Sequence, residues 1–99
     1  MMYVSKNLIT TDGIEFLSNE YATAIRFKHI RFQIVFGQKQ LGTGWSQEVY
    51  VPYTFSEEPR IVVTANNENV ARVTNSYTNR FYMYTSGNCW INWIAVGKY

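Results

Sequence analysis

Few side chains in this sequence are equipped for covalent chemistry. Its single histidine, His29, lies between Lys28 and Ile30 with no nucleophile or orienting partner beside it, and an activated nucleophile needs its base within hydrogen-bond reach. Glu57 and Glu58 are adjacent carboxylates ahead of Pro59. Neighbours in a turn diverge, whereas the two carboxyls of a glycosidase face each other roughly 5–9.5 Å apart. Gly42-Thr43-Gly44 lacks the lysine and helix of a phosphate-binding loop. There is one aspartate, Asp12, and one cysteine, Cys89. An internal disulfide framework is therefore ruled out, and Cys/His zinc sites lack their ligands. Cys89 beside Trp90 reads as a buried small hydrophobe. The expectation is a chain with no catalytic residue, cofactor or metal site: not an enzyme.

Non-covalent recognition is better supplied. The chain holds eight Tyr, six Phe and three Trp, with nine Asn and nine Thr. Tyr and Trp offer an apolar face with a polar handle, and Asn both donates and accepts. Trp45 stands in a glycine-containing loop, where an indole is well placed for contact. Arg72 is flanked by Asn66, Asn67, Glu68 and Asn69 before it and by Asn75-Ser76-Tyr77-Thr78-Asn79 after it. Together with Asn88 these suggest a binding group of Trp45, Arg72, Asn75, Tyr77, Asn79 and Asn88, able to stack on and hydrogen-bond a saccharide ring. The plainer alternative is ordinary turn chemistry with a cross-strand ion pair for Arg72, in a chain rich in Tyr, Phe, Trp and Thr because it is β-rich.

Charge adds exclusions. A net charge of +2, with lysines and arginines scattered and densest at Arg26, Lys28 and Arg31, is not the clustered footprint of nucleic-acid binding. No apolar run approaches the roughly 20 residues of a membrane-spanning helix. Met1 to Thr10 lacks the layout of a signal peptide. None of the asparagines heads an Asn-X-Ser/Thr sequon.

The elements that must position these residues read as strands. At 99 residues and 46% hydrophobic, the chain is one domain's worth and able to bury a core. From residue 31 onward, period-two alternation broken by turn residues predicts strands ending at Gly37, around Val49–Phe55, over Arg60–Ala65, Val70–Thr74, Arg80–Thr85 and Cys89–Val96. A loop over Gln38–Ser46 and a hairpin-like connection at Asn66–Asn69 join them. Pro52 has no N–H for a ladder, so its strand is an edge or breaks there. This predicts an all-β, antiparallel sandwich of about six strands, mostly hairpin-connected. Residues 1–30 form an N-terminal extension, stalk-proximal or extra strands, and residues 31–99 the sandwich. In the extension, Asp12 and Glu15 would suit a capping box, but Ile14–Leu17 and Ala24–Phe27 lean towards extended structure.

Placing Phe32, Ile34, Phe36, Val49, Val51, Phe55, Ile61, Val63, Ala71, Val73, Phe81 and Met83 inside leaves Val35, Tyr50, Val62, Val70, Tyr82 and Tyr84 outside. The last strand is apolar on both faces. So much exposed apolar surface predicts a homo-oligomer, unless the N-terminal segment covers it.

Three stretches, in order, then carry a resemblance. Arg31-Phe-Gln-Ile-Val-Phe-Gly37 resembles the opening strand of the C-terminal tip domains of bacteriophage tail fibres. Val49-Tyr-Val-Pro-Tyr-Thr-Phe-Ser-Glu-Glu-Pro-Arg-Ile-Val-Val-Thr64 is similar to their second signature, and Trp93-Ile-Ala-Val-Gly97 to their closing strand. The layout also resembles the H-type lectins, six-stranded sandwiches that trimerise and bind N-acetylgalactosamine-like sugars between subunits. The resemblance covers about two thirds of the chain. It implies a homotrimeric, virion-borne fibre tip that meets a bacterial surface glycan such as lipopolysaccharide, extracellular on host attachment and in possible contact with other tail proteins. It implies neither nucleic-acid binding nor membrane insertion. Arg72 falls on the strand that supplies a sugar-contacting arginine in the lectins, but the Ser86-Gly87-Asn88 turn lacks their aromatic residues. The alternative is a structural module that trimerises or caps a fibre and docks another protein.

Overall fold

In the computed structural model, residues 13–99 are described; Asp12 and the segment before it lie outside them. Eight antiparallel strands follow in chain order: β1 (Ile14–Ser18), β2 (Ala22–Phe27), β3 (Phe32–Leu41), β4 (Gly44–Tyr50), β5 (Arg60–Ala65), β6 (Ala71–Ser76), β7 (Arg80–Thr85) and β8 (Cys89–Lys98). They form a sandwich of a five-stranded sheet, β1-β2-β3-β8-β5, and a three-stranded sheet, β4-β7-β6. The extended reading of residues 14–27 is what forms. The Asn19 side chain accepts from the backbone N–H groups of Tyr21 (2.8 Å) and Ala22 (3.0 Å), which turns β1 into β2.

The topology departs from a chain of hairpins. Ala65 and Ala71 end strands in different sheets, so Asn66–Asn69 is a crossover rather than a hairpin. The ladder partner of β5 is β8, which is inserted between β3 and β5. β3 also outruns the predicted stop at Gly37, because β8 offers it a partner as far as Leu41↔Cys89. That leaves only Gly42 and Thr43 between β3 and β4. At Pro52 the strand does break: β4 ends at Tyr50, and it is an edge strand.

The interior holds Ala24, Val35, Val49, Val51, Phe55, Phe81, Met83, Ile91, Trp93 and Ala95. Phe81 meets Trp93 edge-on, ring centroids 5.5 Å apart. β3 is the correction to the face assignment. Val35 and Gln33 point inward, while Phe32, Ile34 and Phe36 point out. Two features set this register. A Cβ at Gly37 would stand 2.7 Å from the Tyr21 carbonyl oxygen and 3.0 Å from the Trp93 ring, so only glycine fits the inner face there. Four residues earlier on the same strand, the buried Gln33 amide donates to the carbonyls of Tyr53 (2.9 Å) and Thr54 (3.2 Å), and its oxygen accepts from Arg26 Nε (2.9 Å). It thereby pins the irregular segment between β4 and β5. Gln33→Leu strands those two carbonyls and the arginine. At about 1–3 kcal/mol per unsatisfied buried group, it is expected to cost roughly 2–4 kcal/mol in urea unfolding.

Candidate recognition site

The outer face of the three-stranded sheet is built by two bulges on its edge strands. Along β4 the register passes from Gly44↔Thr85 to Gln47↔Met83, which inserts one extra residue. Positive φ at Gly44 (120°) and Ser46 (60°) accompanies it. The Gln47 amide braces the bulge, donating to the Gly44 carbonyl (3.0 Å) and the Thr85 hydroxyl (2.6 Å). Along β6 the shift falls between Val73 and Asn75, with the Thr74 hydroxyl donating to the Tyr82 carbonyl (3.2 Å). Bulges at sheet edges re-aim side chains. Here they converge on the central strand, β7.

The result is two adjoining clusters. In the first, the Trp45 and Tyr84 rings stack obliquely at 4.4 Å, and the Arg72 guanidinium lies over both, 5.2 Å and 5.1 Å from their centroids. Trp45 remains 62% exposed, so most of the indole faces solvent. It stands at the start of a strand rather than in a long loop. Arg72 pairs across the ladder with Tyr84, not with a carboxylate, so the ion-pair alternative does not hold for it. In the second cluster Tyr77 meets Tyr82 edge-on at 6.0 Å and Arg80 covers Tyr77 at 5.2 Å. Glu48 neutralises Arg80 at 3.7 Å, and the Tyr82 hydroxyl reaches Glu48 at 3.4 Å.

Of the sequence-level group, Trp45 and Arg72 therefore come together. Asn75 is exposed opposite Tyr82, close to Tyr77. Asn79 sits in the β6–β7 turn, where its carbonyl accepts from the Val51 N–H (2.9 Å). Asn88 lies at the other end of β7. Its carbonyl accepts from the amides of Asn67 (3.3 Å) and Asn69 (3.1 Å), locking two turns together. Tyr84, Tyr82, Arg80 and Glu48 complete the face and were not singled out by sequence. The outward alternation of Tyr82 and Tyr84 was a signal for two of them; the register that sets Tyr84 against Arg72 was not visible.

The opposite outer surface, on the five-stranded sheet, is apolar. Cross-strand rows Thr23–Phe36–Ile94–Val62 and Phe16–Ile25–Ile34–Val96 run over it. Phe16 is 57%, Val62 65% and Ile94 47% exposed. Near the start of β2 this face is hollowed into an open groove of about 620 Å³ lined by Phe36, Gln38, Trp90, Asn92 and Ile94. At its rim Tyr21 meets Tyr50 edge-on at 6.4 Å. Hydrogen bonding to the Glu20 carboxylate, and its charge, raise the Tyr21 pKa above the usual 10.0.

The fold has counterparts among solved structures. A C-terminal fragment of the R2 pyocin fibre of P. aeruginosa superposes with a TM-score of 0.71 at 11% identity, over 87% of this chain and 26% of that one. The chain has the fold of part of that fibre fragment. An N-truncated R2-type pyocin tail fibre gives 0.71 at 10% identity, over 96% of this chain and 42% of its own. The chain thus spans less than half of either fibre fragment. No protein-family model and no curated protein matches the sequence.

Proposed function

We propose that this chain is the receptor-binding tip module of a tail fibre of phage or pyocin type, a trimeric, non-enzymatic adhesin for a glycan of the bacterial surface such as lipopolysaccharide. The observation that carries this reading is the exposed Trp45–Tyr84–Arg72 cluster on the free face of the three-stranded sheet. An aromatic face beside a multi-donor cation is suited to stacking on a sugar ring and binding its hydroxyls. The fold shared with part of the pyocin fibres supports the setting, and the chemistry of the cluster supports the ligand class. Trimerisation rests on the apolar rows of the five-stranded sheet. They face away from the cluster, so copies packed through them leave every cluster outward. Three linked sites raise avidity by roughly 10²–10⁴ over one.

The test is binding of the full chain to a panel of immobilised lipopolysaccharides. Trp45→Ala and Arg72→Ala are each expected to weaken it tenfold or more, and Tyr77→Ala less, because Tyr77 belongs to the neighbouring cluster. Unchanged binding by a folded Trp45→Ala protein rejects the site. Failure of the wild-type chain to bind any of the panel favours the structural capping module.

A further inference from the structure

We propose that the Trp45–Arg72 site is selective for an acidic saccharide, one bearing a carboxylate or phosphate beside the ring that stacks on the indole. The inference deepens the adhesin reading and rests on it. The argument turns on what each arginine of this sheet does with its charge. Arg80 has Glu48 at 3.7 Å. Arg72, on the same face opposite Tyr84, has no carboxylate within ion-pairing distance among the described residues. Its partners are instead the faces of two rings, at 5.2 Å and 5.1 Å.

That packing has a chemical consequence. A cation–π contact uses the flat face of the guanidinium and leaves the N–H groups at its edge unspent. Those donors form a planar fork that matches carboxylate or phosphate oxygens two at a time, which an ammonium cannot do. The two rings also restrict the long side chain before any ligand arrives, so less rotamer entropy is lost on binding. The site thus presents a pre-oriented, uncompensated cation next to an indole that is 62% exposed. A neutral sugar would use the stacking surface but leave the cation's fork to water. An acidic sugar engages both.

The experiment is calorimetric titration of the full chain with three probes of matched length: oligogalacturonate, a neutral galactose oligosaccharide and a phosphorylated galactose oligosaccharide. At least one acidic probe is expected to bind tenfold or more tighter than the neutral one. The comparison of the two identifies the acid. The preference is expected to shrink at raised salt, to vanish in Arg72→Gln and to survive in part in Arg72→Lys. Equal affinity for neutral and acidic sugars, with Arg72→Gln weakening both alike, overturns acid selectivity and leaves the adhesin reading standing. Acid binding that persists in Trp45→Ala, or that polyglutamate matches, marks a bare charge effect and overturns the proposal. Absence of binding to every probe and to the lipopolysaccharide panel removes the adhesin reading as well.

Discussion

Trp93→Ala is expected to lose about 3–5 kcal/mol of folding free energy. Trp93 is 2% exposed and sits on β8, the strand that β3 and β5 both pair with. Its ring meets Phe81 from the opposite sheet at 5.5 Å and closes over Gly37, so it ties β8 to both β7 and β3. Truncating a buried aromatic forfeits its transfer free energy and leaves a cavity that a stiff sandwich cannot collapse. Domains of this size hold only about 5–15 kcal/mol in all. The same change lowers the melting temperature by roughly 12–40 °C, at about 4–8 °C per kcal/mol. Urea unfolding at one fixed protein concentration measures it, since association would make the midpoint concentration-dependent. A loss under 1 kcal/mol means that β8 is registered with Trp93 outward. Trp90, on the opposite face and 45% exposed, serves as the control, with a much smaller effect on the folded core.

That contrast shows how far the sequence could be read. Alternation in Cys89–Lys98 sorts Ile91, Trp93 and Ala95 from Trp90, Ile94 and Val96, but both sets are apolar. Which set faces in is decided by the partners, not by the strand. In β3 the same ambiguity misleads. Phe32, Ile34 and Phe36 outweigh Gln33, Val35 and Gly37 in hydrophobicity, yet the inner face needs a glycine under Trp93 and an amide for two carbonyls. Local strands were legible because period two and turn residues are local properties. Sheet order was not, since the insertion of β8 between β3 and β5 joins residues far apart in sequence. The site follows the same division. Trp45 and Arg72 drew attention by type and setting. Their meeting over Tyr84 depends on a bulge at Gly44–Gln47, and nothing before folding marks a bulge of that length.

The outward set on β3 and β8 has its own consequence. If the proposed trimer packs through this face, Ile94→Glu is expected to convert a particle with the mass of three chains into a single chain, with the sandwich intact. The Ile94 side chain points away from Trp93 and lies between Phe36 and Val62 in a cross-strand row, and it is 47% exposed in the lone chain. In the lone chain the glutamate therefore stays hydrated and costs the core little. In an assembly packed through this face the same carboxylate is stripped of water with no partner, a cost of several kcal/mol. About 3 kcal/mol already weakens association more than a hundredfold. The rows with Phe16, Ile25, Ile34, Phe36 and Val96 make a contiguous apolar surface of a kind that lone soluble chains rarely leave in water. Light scattering on a sizing column, with circular dichroism as the check on folding, reads the outcome. If wild type runs as one chain, or Ile94→Glu keeps the mass of three, this face is not where copies meet. If the mass falls threefold while the spectrum stays native, the sheet's hydrophobic side holds the assembly together. The Trp45–Arg72 side then remains free for ligand.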